Sequence, residues 1–164
     1  MLELRYIELH EADLVSRIIR EAYAEQTRVL NIDPVAFPNF VGLESPDGVY
    51  RRMEQGDRVA LALLGGEPIG TISYRALPED PSHGHVKRFA ILPRFRGHDY
   101  GKSMMDFAEE GLRQAGVTTA EISLVAAFTR LRDYYLRLGY ESRATRTFAS
   151  VPFAVLFMEK DLGL

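Results

Sequence analysis

The sequence predicts an α/β fold: one mixed β-sheet flanked by helices, in a single domain covering residues 1–164. Three observations predict it. A glycine-marked hairpin early in the chain requires antiparallel strands. Two later strand–helix–strand units require parallel ones. No internal repeat, low-complexity tract or composition break divides the chain, and 164 residues suffice for one substantial core. The expected element order is β-α-α-β-β-β-α-β-α-β-β.

Residues 2–9, LELRYIEL, alternate apolar with polar and read as a strand. Asp13 is placed to cap the helix that follows, where Leu14, Ile18 and Ala22 stack beside Val15, Ile19 and Tyr23. Residues 31–48, NIDPVAFPNFVGLESPDG, are rich in proline and turn formers; Phe37, Phe40 and Val41 mark them as a packed loop. A brief helix is expected over 49–54. Strands follow at 58–64 and 69–77, separated by LGGEP, whose Gly65-Gly66 pair signals a hairpin. HVKRFAIL, 85–92, is a further strand stopped by Pro93. The clearest helix is 99–115, with Met104, Phe107, Ala108, Gly111, Leu112 and Ala115 in one stripe and Gly116 as its stop. A strand at 121–126, a helix at 129–138 ending at Gly139, and strands at 140–148 and 153–159 complete the chain.

Composition narrows the function. The content, 46% hydrophobic and 26% charged, is that of a globular protein. A formal charge of −3 argues against nucleic acid as a partner. With no cysteine there is no disulfide framework, thiol nucleophile or cysteine-ligated metal. MLELRYIELHEADLV lacks the apolar core of a secretory signal, and no run approaches the roughly 20 apolar residues of a membrane span. A cytoplasmic protein that does not engage membranes is expected.

The stretch RGHDYGKS, 96–103, resembles a phosphate-binding P-loop with one spacer missing. Spacing argues against that reading, because one fewer residue changes the arc of amides and misplaces the lysine. The strand at 121–126 also ends in Val-Ala-Ala, without an aspartate for magnesium. More general physics survives. A strand ends, a glycine-bearing turn follows and a helix begins, so free N–H groups and the helix dipole converge where an anion is welcome. Arg94, Arg96 and Lys102 add charge around it. The alternative is an ordinary strand–turn–helix connection with solvated basic residues.

The wider segment VKRFAILPRFRGHDYGKSMMDFAEEGLRQAG resembles the acetyl-CoA-binding segment of the GNAT superfamily of N-acetyltransferases. Ile91-Leu92-Pro93 matches the family's strand end, and the stretch from Arg96 to Gly101 matches its [Arg/Gln]-x-x-Gly-x-[Gly/Ala] turn at the first and last fixed positions, Arg96 and Gly101. LRDYYLRLGYES is similar to the second signature, with Tyr135, Gly139 and Tyr140 in the fixed places, and FMEKDL resembles the usual last strand. The resemblance covers nearly the whole chain. It implies that the pantetheine arm of acetyl-CoA pairs with Phe89, Ala90 and Ile91. It implies that the pyrophosphate sits on the turn formed by Arg96, Gly97, His98, Asp99, Tyr100 and Gly101, beside Lys102. A backbone N–H near Ile91 would hold the oxyanion while an amine attacks the thioester directly, and Tyr135 would protonate the departing thiolate. The implied acceptor is a small-molecule or peptide amine, and a homodimer through the last strands is a candidate assembly.

The chain departs from the family pattern in three places. Asp99 replaces the middle glycine of the turn, where it either adopts a left-handed conformation or caps the helix; both weaken anion binding through its charge. Phe128 stands where an asparagine often precedes the second helix. Lys87, Arg88 and Ser123 occupy positions where a carboxylate base is often found, leaving Glu121, His85, Glu25 and Glu44 as substitutes. His83 and His85 could share a strand face for a metal, but no third ligand is suggested and a loop pair without metal is expected.

Overall fold

The computed structural model describes residues 1–163. The chain begins with β1 (Leu2–Tyr6), then α1 (Ala12–Ala22), α2 (Ala24–Val29) and α3 (Pro46–Glu54). The strands β2 (Arg58–Leu64), β3 (Glu67–Leu77) and β4 (Asp80–Ile91) follow. Then come α4 (Tyr100–Gln114), β5 (Thr119–Val125), α5 (Thr129–Arg137), β6 (Glu141–Arg146) and β7 (Val155–Asp161). All seven strands join one sheet in the order β1-β2-β3-β4-β5-β7-β6. Only β4 and β5 run parallel; the remaining pairs are antiparallel.

Side-chain alternation assigns the two faces. On β2, Ala60 and Ala62 join α4 and α5 in one core, with Met104, Met105, Leu112, Ile122 and Met158. Val59, Leu61 and Leu63 point the other way, into a second core with Val15, Ile19 and Val49 from α1 and α3. The predicted mixed α/β sheet with helices on it is therefore present. The Gly65-Gly66 hairpin is also present: both residues have positive φ, 57° and 84°, as a type I′ turn requires.

Several boundaries differ from expectation. Asp13 lies inside the first turn of α1 and caps nothing, since Glu11 holds the cap position. The helix α2 is additional; its AEQTRV sequence has no apolar stripe to announce it. The helix α3 starts three residues before the expected 49, where Ser45 accepts from the Gly48 amide at 3.0 Å and Pro46 fills the first turn. The strand β4 begins at Asp80 rather than 85, so His83 and His85 lie in a strand and not in a loop.

Tyr140 is 1% exposed and its hydroxyl donates to Glu109 Oε2 at 2.8 Å, deep under the sheet. Lys160 Nζ reaches the other oxygen at 2.9 Å. The second half of the Gly-Tyr signature thus satisfies a buried carboxylate. Tyr140→Phe removes one of two donors to Glu109, and the expected loss of stability is about 1–3 kcal/mol. Urea denaturation checks it.

Candidate active site

The site is built where two parallel strands part. β4 and β5 pair at His83↔Thr119, Gly84↔Ala120 and His85↔Glu121, and nowhere further along. Beyond His85 the strands diverge, leaving the rest of β4 without a partner on that side. A cavity of about 320 Å³ opens in the split, with Tyr23, His85, Phe89, Ser123, Tyr135 and Phe153 among its lining.

A bulge reshapes β4 at the cavity. Thr71 pairs with Ala90 and Ser73 with Lys87, so Arg88 and Phe89 together face the single residue Ile72. Arg88 takes φ +54°, left-handed backbone that a side chain rarely adopts. Tyr23 Oη donates to the Phe89 carbonyl at 2.6 Å and fixes the bulge from α1. Gly70 lies opposite Ile91, and a Cβ there would stand 2.6 Å from the Ala90 carbonyl oxygen, so only glycine lets β3 and β4 approach this closely.

The turn that follows β4 holds the second half of the site. Gly97 and Asp99 both have left-handed φ, 86° and 62°, on either side of His98. Such alternation makes a concave row of amides. The amides of Gly97, His98, Asp99, Tyr100, Gly101 and Lys102 have no acceptor among the described residues. Of the two conformations open to Asp99, the chain adopts the left-handed one, and its side chain makes no capping bond. Arg96 is exposed, and its guanidinium turns back onto β4 and the end of α1. Its Nη2 donates to the Ala22 carbonyl at 2.8 Å and its Nε to the Ile91 carbonyl at 3.1 Å. Lys102 is exposed and paired with Asp106 at 2.9 Å. Gly101 is held small by packing, because a Cβ there would collide with the Tyr134 hydroxyl and crowd Phe89.

Tyr135 projects from α5 into the split and is 8% exposed. Burial pushes its phenol well above the usual range, and the nearby Tyr23 and Tyr134 hydroxyls add to this. Its proton is therefore retained at neutral pH. The four substitute bases separate cleanly. Glu25 is exposed and paired with Arg28. Glu44 is buried against Arg52 at 2.6 Å. Glu121 is half-buried, and burial followed by repulsion from Glu159 raises its carboxyl. Only His85 lines the cavity. Among the described residues no cluster of three or more metal-ligating side chains occurs, and no helix is long and apolar enough to cross a membrane.

The sequence model of the Acetyltransferase (GNAT) family matches residues 20–140, which contain the split, the bulge and the turn. The chain belongs to this family. The GNAT chain is 30% identical over 144 residues to an aminoalkylphosphonate N-acetyltransferase of Salmonella typhimurium, covering 85% of itself and 84% of that relative. Its fold is shared with the paiA N-acetyltransferase of Thermoplasma acidophilum, solved with coenzyme A: TM-score 0.79, 14% identity, 98% and 99% of the two chains. It is shared also with the yncA protein of Salmonella typhimurium, solved with acetyl-CoA: TM-score 0.70, 12% identity, 99% and 94% covered. GNAT-type acyl transfer on a CoA-binding fold is the activity that family membership assigns to the GNAT chain.

Three contributors to the site escaped the sequence. Tyr23 reads there as one more apolar position of the α1 stripe. Lys87 and Arg88 read as neighbours on opposite strand faces, whereas across the bulge Lys87 reaches Asp57 and Arg88 reaches Glu44, the two carboxylates that flank α3.

Burial pushes the His85 imidazole from 6.5 down to about 4, with Lys87 and Arg88 reinforcing the shift. Between those values the unfolded chain takes up a proton that the folded chain refuses. Stability should therefore fall as pH drops from about 6.5 to about 4, by up to about 3 kcal/mol, and this part should level off below that. Denaturation of wild type and His85→Gln across this window checks it: the variant should lose less stability than wild type.

Proposed function

We propose that the chain transfers the acetyl group of acetyl-CoA to a primary amine by direct attack in a ternary complex, with Tyr135 as general acid. The observation that carries this reading is the split at His85↔Glu121, which leaves the β4 backbone facing a cavity that also receives the Tyr135 side chain. In this reading Phe89, Ala90 and Ile91 pair with the pantetheine arm. The open amides of Gly97, His98, Asp99, Tyr100, Gly101 and Lys102 receive the pyrophosphate, with Arg96 acting as the tie that holds the turn rather than as a side-chain ligand.

The chemistry balances without an enzyme-bound acyl group. The amine nitrogen attacks the thioester carbonyl carbon, and a strand amide near Ile91 stabilises the oxyanion. The carbon–sulfur bond then breaks, its electron pair leaves on sulfur, and the Tyr135 proton neutralises the thiolate. The name of the curated relative supports a small alkylamine as acceptor over a protein. The coenzyme A and acetyl-CoA found with the paiA and yncA proteins support the cofactor. A second reading, a CoA-binding protein of this fold without catalysis, draws on the Asp99 carboxylate beside the amide row and on a cavity lining without carboxylates.

Tyr135→Phe separates these readings. The expected result is a kcat lower by about 10²-fold or more with the KM for acetyl-CoA little changed, measured as thiol release. A wild type that binds CoA but releases no thiol with any amine favours the non-catalytic reading. Asp99→Gly should tighten CoA binding several-fold, on the order of 1 kcal/mol, because it removes both a like charge and a left-handed side chain. Calorimetry with CoA checks this second expectation.

A further inference from the structure

The wall of the cavity away from the amide row carries an unbalanced charge cluster. Arg52 lies buried between Glu44 at 2.6 Å and Asp57 at 3.0 Å. Arg75 approaches Asp57 at 3.4 Å, Lys87 approaches it at 3.2 Å, and Arg88 approaches Glu44 at 3.5 Å. Four cations thus share two carboxylates. Arg52 of α3 and Arg75 of β3 serve those carboxylates away from the cavity lining, while the surplus pair, Lys87 and Arg88, lines the cavity. Among the described residues no carboxylate lines it.

Arg88 is the least satisfied member. Its side chain is 27% exposed, yet none of its nitrogens donates a hydrogen bond among the described residues, and its buried Nε has only the 3.5 Å ion pair with Glu44. Left-handed backbone at this position costs on the order of 1–2 kcal/mol. The bulge that carries this strain is also what aims two consecutive basic side chains at one side of the sheet. A partly buried guanidinium with one long ion pair and no hydrogen bond stands where an anion would complete it.

We infer that Lys87 and Arg88 form an anion subsite of the acceptor pocket, so that the acceptor is an amine carrying an acid group, a carboxylate or a phosphonate. This rests on reading the cavity as the acceptor side of acetyl transfer. The acid settles against Arg88, leaving the amine to point toward the parted strands. The same two cations repel an ammonium and favour the uncharged amine, which is the form that attacks. Polyamines and polycationic acceptors are excluded by the same charge.

Four acceptors of similar size test the inference: n-propylamine, putrescine, β-alanine and 2-aminoethylphosphonate, each assayed for thiol release from acetyl-CoA. One or both acids should exceed n-propylamine in kcat/KM by about tenfold or more, and putrescine should be poorest. The better acid identifies the group. Arg88→Gln should collapse the ratio of acid to n-propylamine, and Arg88→Lys should restore part of it. Equal kcat/KM for propylamine and both acids in wild type overturns the inference without any variant. Calorimetry of the same compounds on the CoA-loaded protein keeps the two readings distinguishable. Acids that bind in an Arg88-dependent way without turnover sustain the subsite and defeat acetyl transfer. Turnover of neutral amines with no acid preference does the reverse.

Discussion

The parting of β4 from β5 is the constraint on which the rest of the molecule depends. Two parallel strands that stay paired bury their backbone groups in each other. Here pairing stops at His85↔Glu121, and the strand polar groups beyond it face a cavity instead. Such a gap is tolerable only if neighbouring elements hold the strands apart. On the β4 side the bulge, the Tyr23 bond to Phe89 and the close packing over Gly70 fix the strand. On the β5 side, β7 pairs along all of Thr119 to Val125 and keeps it straight.

The charge cluster beneath the cavity follows from the same arrangement. Buried ions cost several kcal/mol each in lost hydration, and pairing recovers this only with good geometry. Arg52 has that geometry, with hydrogen bonds to Glu44, Asp57 and Ser73. Lys87 and Arg88 do not. Burial lowers the Lys87 ammonium, with Asp57 opposing the shift. The cluster therefore divides into a hydrogen-bonded part around Arg52, which still leaves Arg52 Nη2, Asp57 Oδ1 and Arg75 Nε without hydrogen-bond partners, and a part on the cavity side that makes no hydrogen bond among the described residues. His85 stands beside that second part and is held uncharged by burial, with Lys87 and Arg88 reinforcing the effect.

Much of the fold was legible because it follows from local pattern. The Gly65-Gly66 hairpin, the stripe of α4 and the strand–turn–helix at Pro93 each carry their instruction within a few residues. The insertion of β7 between β5 and β6 does not, since it depends on which edge a distant strand finds. The early start of β4 was hidden by Pro81, Ser82 and Gly84, which read as turn residues; Gly84 is held in strand form by Ala76 of β3 and Ala120 of β5. In the site, the glycines and tyrosine of the two signatures stand out in sequence. The bulge does not, because its effect is to break the alternation by which strand faces are read. For that reason Lys87 and Arg88 were visible only as residues that are not carboxylates.

The contact between Tyr134 and Gly101 joins two features otherwise described separately. Tyr134 precedes Tyr135 on α5, and its hydroxyl rests where any side chain at position 101 would stand. The first turn of α4 and the helix bearing Tyr135 therefore abut through a single missing methyl group. Bulk added at position 101 would have to displace the Tyr134 hydroxyl and crowd the Phe89 and Ile91 side chains, so the turn bearing the amide row and the helix bearing Tyr135 answer to one narrow contact.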